Sequence, residues 1–212
     1  MKRRRLGLWL GAAGVYAVFR HWYTDSKGPL TDAEVDAFVA RATDRGDDPD
    51  TVAKLERFFR EDTGRQFLMV NVVDMNESPP AVEGAPPGAD ADELMQLYME
   101  HMNKELLKRA CHPVVMGEAV HEALDLLGIE GGEEWTGGAL FRYRSRRSFM
   151  EIIEHPDMAS RHRFKLAALD KTIAYPVEPG LYLGDLRLLV GLGLAAGIAV
   201  GDAIVANRRS SS

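Results

Sequence analysis

Two long apolar segments, one near each end of the chain, constrain its architecture more than any other feature of the sequence. Residues 6–19 contain no charged side chain, follow a basic run and lead into aromatic residues that suit a membrane interface. Residues 188–206 form the second segment, which only Asp202 interrupts. About 18 residues are enough to span a bilayer as a helix. We therefore predict transmembrane helices at residues 1–23, as an uncleaved signal anchor, and at residues 183–207.

Glycines recur every four residues in both apolar segments, and in lipid this spacing lets two helices approach closely. They are Gly7 and Gly11 in the first segment and Gly193, Gly197 and Gly201 in the second. The two segments either pair with each other or across a dimer, or they act as two independent anchors.

The charge distribution predicts the sidedness of the chain. The net charge of −6 combines an acidic middle with basic residues at both ends. The positive-inside rule then places both ends in the cytoplasm. We expect a bacterial inner-membrane protein whose middle part is periplasmic or otherwise extracytoplasmic. The acidic middle has no basic face to neutralise phosphates, so nucleic acid is excluded as a partner.

Residues 24–63 predict a helical hairpin that links the first membrane segment to the main domain. Thr31 and Glu34 form a capping box ahead of an apolar face at helical spacing. Gly46 ends that helix, Pro49 opens the second helix, and Gly64 stops it.

Residues 64–178 read as β-α-β-β-α-β, the order of ferredoxin-like folds. The predicted strands cover residues 66–75, 114–123, 138–143 and 172–177, and the first long helix covers residues 91–109. The first strand is apolar on both faces, although such a sheet carries helices on only one. A second copy packed on the bare face would cover it, which predicts a homodimer. The fold class is therefore α+β.

Four stretches of this domain resemble the dimeric α/β-barrel superfamily, in particular a bacterial branch of uncharacterised function. They are Gly64-Arg-Gln-Phe-Leu-Met-Val-Asn71, His112-Pro-Val-Val-Met-Gly117, Arg142-Tyr-Arg-Ser-Arg-Arg-Ser-Phe149, and His162-Arg-Phe-Lys-Leu-Ala-Ala-Leu169 with Ala174-Tyr-Pro176. The resemblance covers about residues 64–178. It implies the fold and a homodimer, whereas the superfamily includes cofactor-free oxygenases, haem-associated enzymes, isomerases and binding modules.

The sequence carries no strong catalytic motif, and it predicts no cofactor and no metal site. Glu151 and His155 lie four residues apart, a spacing more typical of a solvated helix face. The single cysteine, Cys111, is expected to be buried.

Polar residues in apolar contexts remain as site candidates. The catalytic candidates are His121, Arg142 and Arg163, and the ligand-binding candidates are Asn71, Tyr98 and Tyr143. They either line a pocket between sheet and helices, with an arginine on an anionic group and His121 as base, or have structural roles. In the second case Asn71 bonds to backbone, His121 is half exposed and the arginines pair with acids.

Three functions are consistent with these features. The first is a membrane-anchored dimeric module that binds a small hydrophobic molecule or an envelope protein. The second is a cofactor-free oxygenase or isomerase acting on a hydrophobic or aromatic compound from the membrane. The third is a structural membrane protein built around its glycine-patterned helices.

Overall fold

The computed structural model describes the backbone of residues 2–210, and the side chains of that range except residues 2–5, 159 and 205–210. The basic residues 2–5, Arg208 and Arg209, which carry the sidedness prediction, lie outside the described side chains. The chain divides into two units, one formed by Met1–Ser26 with Gly180–Ser212, the other by Lys27–Pro179.

Seven helices and four strands follow in chain order over the described range. They are α1 (Lys2–Tyr23), α2 (Asp32–Arg45), α3 (Pro49–Arg60), β1 (Phe67–Met75), α4 (Ala91–Lys108), β2 (His112–Glu118), β3 (Gly137–Tyr143), α5 (Arg146–Ile153), α6 (Pro156–Ala168), β4 (Leu169–Val177) and α7 (Leu186–Ser210).

In the first unit, the terminal helices α1 and α7 pack against each other within the chain. The Tyr16 hydroxyl donates to the Arg187 carbonyl at 3.0 Å, and a methyl group on Gly191 would meet the Tyr16 ring at 3.4 Å. Among the described side chains, the glycines at four-residue spacing take no part in this contact, since a Cβ at Gly193 or Gly197 meets nothing within 4 Å there. Pairing of the two segments therefore uses the aromatic face of α1.

One helix of the described residues is long and apolar enough to cross a membrane. This stretch, Leu186–Ile204, has a mean hydropathy of 1.7 and none of it is buried. The predicted C-terminal span thus forms a helix of the required length and composition. α1 is a continuous helix as well, but Arg20 and His21 near its end lower its apolar character.

The helical hairpin begins at the predicted capping box. The Thr31 hydroxyl accepts from the Glu34 amide, Glu34 accepts from the Thr31 amide, and Gly46 caps the end of α2 with a φ of 77°. α3 ends at Arg60, before Gly64. Gly64 has a φ of +71°, and a Cβ there would lie 2.8 Å from the Pro29 nitrogen, which explains why glycine is required.

Aromatic packing and a buried arginine join the hairpin to α5. The ring of the fully buried Phe59 lies 4.9 Å from that of Phe38 in α2 and 6.2 Å from that of Phe149 in α5, centroid to centroid. Arg147 donates from Nε to Glu34 Oε1 at 2.8 Å and from Nη1 to the Gly28 carbonyl at 2.9 Å. The hydrogen bonds from Arg147 and from the Thr31 amide lower the pKa of Glu34 to about 2.

The four strands form one antiparallel sheet in the order β2-β3-β1-β4. This order, with α4 and the α5–α6 pair as the two crossovers, is the ferredoxin-like topology that the sequence predicts. β2 ends earlier than expected, because its ladder with β3 stops where Glu118 pairs with Gly137, the first residue of β3. Residues 119–136 form a loop instead.

The two faces of the sheet differ in what covers them. On the inner face Phe67 and Tyr143 stack at 5.1 Å and pack with Leu94, Leu106 and other core residues of the helical layer. The outer face carries Val70, Val72 and Leu140, which are half-buried in the single chain. Tyr175 beside them is 49% exposed. The prediction that β1 is apolar on both faces is therefore confirmed.

Candidate functional site

A cavity of about 1420 Å³ lies in the Lys27–Pro179 unit, between the inner face of the sheet and the helices α4 and α6. The period-two alternation of β1 and β3 sends every second side chain into it. Met69, Asn71 and Val73 of β1 and Ala139 of β3 are among these side chains. The cavity also reaches the hairpin at Leu55. Its volume exceeds what a drug-sized ligand needs.

Most of the cavity wall is apolar and rich in methionine and aromatic side chains. The methionines are Met69, Met75, Met95, Met99, Met102, Met116 and Met158, and the aromatic residues are Phe38, Tyr98, Trp135, Phe141, Tyr143, Phe149 and His162. Methionine is flexible and polarisable, so such a wall adapts to ligands of different shape. The chemistry of the lining therefore favours a hydrophobic or aromatic molecule.

Three polar side chains from the helices meet at one wall of this cavity. The rings of Tyr98 on α4 and His162 on α6 lie 6.3 Å apart in a T-shaped arrangement. The Lys165 ammonium nitrogen lies 5.9 Å from the centre of the Tyr98 ring. These three residues place a phenol, an imidazole and an amine at an otherwise apolar surface.

The surroundings of this group disfavour charge. Burial raises the pKa of Tyr98 to about 12. Burial, followed by the neighbouring Lys165 charge, lowers the pKa of His162 below its ordinary value, and burial lowers the pKa of Lys165 as well. The surroundings therefore favour the neutral imidazole of His162, which can accept a proton or donate a hydrogen bond.

The three ligand-binding candidates from the sequence, Asn71, Tyr98 and Tyr143, all line the cavity. Asn71 donates from Nδ2 to the Met69 carbonyl at 3.1 Å, so part of its amide is used within its own strand. Tyr143 is almost fully buried, and burial raises the pKa of its hydroxyl well above the usual range.

The three catalytic candidates do not line the cavity. His121 is exposed on the loop that follows β2. Arg142 lies on the outer face of the sheet, where Nε donates to Gln66 Oε1 and Nη1 to the Ala110 carbonyl, both at 2.7 Å. Arg163 is exposed on α6, with Nη1 3.8 Å from Glu83 Oε2. The expected convergence of His121 and Arg142 on Asn71 is therefore not found.

Sequence reasoning missed His162 and Lys165, although α6 carried a signal for them. Met158, His162 and Lys165 follow one another at i, i+4 and i+7, which is one face of a helix. Two polar residues continuing an apolar stripe that begins with methionine indicate side chains that face inward. Cys111 is fully buried, as expected, and burial raises the pKa of its thiol to about 11.

Outside the cavity, one group within the described residues has the composition of a metal site. It consists of His101 and Glu105 on α4 and His155 at the start of α6, with potential ligand atoms all within 4.8 Å of one another.

Comparison with known proteins supports the fold and leaves the activity open. No family model matches the chain, and no curated protein matches it in sequence. Among solved structures, the RPA0582 protein of unknown function from Rhodopseudomonas palustris aligns over 64% of this chain and 95% of its own, at 18% identity and a TM-score of 0.51. Its methylated form aligns over 65% and 95%, at 19% identity and a TM-score of 0.52.

A dimeric protein of unknown function and ferredoxin-like fold from Bacteroides fragilis covers 54% of this chain and 96% of its own at 10% identity, but its TM-score of 0.33 is too low to bear on this chain. At these identities the similarity concerns the fold alone. The sheet order and the structural similarity together confirm an α+β, ferredoxin-like domain.

Proposed function

We propose that this chain is a membrane-anchored, dimeric module that binds a small hydrophobic molecule in the cavity between its sheet and its helices. The observation that carries the proposal is the volume of about 1420 Å³ behind a wall of methionine and aromatic side chains. Binding sites for small molecules are mostly apolar, with a few polar groups that fix orientation. Tyr98, His162 and Lys165 supply those groups.

The charges around the cavity favour a neutral ligand. Its lining carries more carboxylates than cations: Asp47 pairs with Arg45 at 2.6 Å, while Glu77, Asp90, Asp92 and Glu118 outnumber Lys165, and this balance disfavours anions. Lys165 and His162 still offer hydrogen-bond donors at the apolar wall. The ligand we propose is therefore a neutral aromatic or aliphatic compound with a carbonyl or hydroxyl oxygen, taken up from the lipid phase.

A large side chain placed inside the cavity should weaken this binding. Ala139 faces the cavity beside Asn71, and Ala139→Phe is expected to weaken binding of the neutral fluorescent naphthyl ketone prodan at least about tenfold. Ala53→Phe, at an exposed position of α3, is the matched control and should bind like the original chain. Full-length protein in lipid nanodiscs is titrated with prodan, and empty nanodiscs are subtracted. Equal binding by Ala139→Phe, or no saturable signal above empty nanodiscs, would contradict the proposal.

A cofactor-free oxygenase or isomerase is the second candidate. It is favoured by the lowered pKa of His162, which leaves a neutral base beside Tyr98 at the cavity wall. Proton abstraction from a bound aromatic compound is the step such a base performs. The chain is an enzyme if it converts a bound compound and if His162→Asn abolishes that turnover while prodan binding persists. Binding without turnover supports the module.

Anchoring is supported by the apolar segment Leu186–Ile204, none of which is buried, and by α1 with its basic flank. We expect full-length protein in a bacterial host to stay in the membrane pellet after alkaline carbonate extraction. In intact spheroplasts, trypsin should degrade the Lys27–Pro179 unit while a cytoplasmic marker protein stays intact. Release into the soluble fraction would contradict anchoring, and protection from trypsin would contradict an extracytoplasmic domain.

Dimerisation is supported by the outer face of the sheet. Val70, Val72 and Leu140 run along its centre, and Val115 and Tyr175 toward its edges are 55% and 49% exposed. A contiguous apolar surface of this kind is unusual on a monomer. A second copy packed face to face buries the same residues from both chains, which is what a twofold interface requires.

A further inference from the structure

Two histidines and a glutamate meet where α4 passes the start of α6. His101 and Glu105 are four residues apart on α4 and therefore share one face of that helix. His155, the N-cap of α6, brings its ring to 4.8 Å from the ring of His101, centroid to centroid. None of these side chains lines the cavity described above.

The orientation of His101 points to a missing partner. Its Nε2 is buried and forms no hydrogen bond, and the side chain as a whole is only 13% exposed. An unpaired imidazole nitrogen in such a place costs free energy. The other ring nitrogen, Nδ1, lies 3.7 Å from Asp157 Oδ2, and His155 Nδ1, which accepts from the Asp157 amide at 3.4 Å, lies 3.9 Å from the same oxygen. Both distances exceed that of a hydrogen bond, but they place beside the two rings a carboxylate of the kind that orients metal-bound histidines.

The remaining charges are compatible with a dication. Glu105 is 7% exposed and contacts Arg109 through Oε2, while its Oε1 is 3.9 Å from Lys108, whose side chain is 69% exposed. Arg109 also pairs with Glu151, since Arg109 Nε lies 2.9 Å from Glu151 Oε2, so its charge is shared between two carboxylates. One oxygen of Glu105 is therefore compatible with metal binding, and Asp157 adds a second negative charge.

We propose that His101, Glu105 and His155 bind one divalent transition-metal ion, with Zn²⁺ as the reference ion, and that Asp157 orients the histidines. Two histidines and one carboxylate form a donor set that Zn²⁺ uses with a fourth position left to water. The ligand atoms lie within 4.8 Å of one another. Because Zn²⁺ holds its ligand atoms roughly 3.3 Å apart, displacements of about 1 Å in these side chains complete the site. The ion ties α4 to α6, the two helices that wall the cavity.

The test uses full-length protein, purified without a histidine tag and stripped with EDTA. Titration with ZnCl₂, and with CoCl₂ followed by its visible absorption, is expected to show one equivalent bound. His101→Asn and His155→Asn should each weaken binding more than about tenfold, the effect that loss of an outer-sphere partner alone produces. Asp157→Asn should weaken it by about tenfold. His121→Asn, at an exposed histidine far along the chain from the group, is the control and should leave affinity unchanged.

These outcomes distinguish a preformed metal site from weak metal binding by surface histidines. Substoichiometric binding, full affinity in His155→Asn, or an equal loss in His121→Asn would overturn the proposal. Circular dichroism checks that each variant folds. Should His101→Asn fail to fold, His155→Asn decides the matter, because His155 lies at a helix end with its side chain 31% exposed.

Discussion

Replacing Arg142 by methionine is expected to lower the free energy of unfolding of the α/β unit by about 3 kcal/mol. Arg142 has no exposed surface, and its guanidinium holds Gln66 and the Ala110 carbonyl, each at 2.7 Å. Methionine fills a similar length but donates no hydrogen bond, so the buried Ala110 carbonyl and the part-buried Gln66 amide lose their donor, at a total cost of about 3 kcal/mol. Among the described residues other than glycine, Ala110 has a positive φ, of 54°, at the turn from α4 into β2.

The matched control is Arg163→Met. Arg163 is 47% exposed and its partner Glu83 is 94% exposed, so their ion pair contributes at most about 1 kcal/mol. The measurement is the urea dependence of amide hydrogen exchange in β1 and β3, which reports on this unit alone. Arg142→Lys should recover only part of the loss, because an ammonium group cannot reach both acceptors as the planar guanidinium does. Equal urea midpoints of hydrogen exchange for Arg142→Met and Arg163→Met would contradict the structural role of Arg142.

Local signals in the sequence predicted most of the fold. The capping box of Thr31 and Glu34 is present as expected because it depends on residues three apart. The apolar run in β1 and the helical spacing in α4 depend on equally short distances along the chain. The order of the elements then follows, since few topologies connect β-α-β-β-α-β without crossing.

The contacts that the sequence did not reveal join residues far apart in the chain. His155 lies 54 positions after His101 in the chain, and no spacing pattern encodes that meeting. The end of β2 depends on where β3 begins, at Gly137, and this moved His121 from the predicted strand into a loop. Arg142 was read as a pocket residue, but the pleat of β3 places it on the face opposite Tyr143.

The candidate site was predicted in part for the same reason. Asn71 and Tyr143 follow from strand alternation, and Tyr98 from the apolar face of α4. To predict His162 and Lys165, one would need to know that the inner face of α6 borders a cavity rather than a filled core. That depends on the volumes of side chains from eight other helices and strands. Composition and periodicity do not contain this information.

A charge on the outer face of the sheet should separate the proposed dimer. Leu140 lies near the centre of this face, paired with Val70 of β1 and Val115 of β2. Leu140→Arg would bury an unpaired guanidinium in an apolar interface at a cost of several kcal/mol. Since about 1.4 kcal/mol corresponds to a tenfold change in affinity, we expect dimer affinity to fall by at least about 100-fold.

The control is Leu107→Arg, the same substitution at a position of α4 that is 59% exposed, in the helical layer that covers the inner face of the sheet. Sedimentation equilibrium of the full-length chain in density-matched detergent should show a dimer for the original chain and for Leu107→Arg, and a monomer for Leu140→Arg. A dimer of undiminished affinity in Leu140→Arg would place the association elsewhere, for instance on the terminal helices. The valine, leucine and tyrosine side chains of this outer face would then need a different partner.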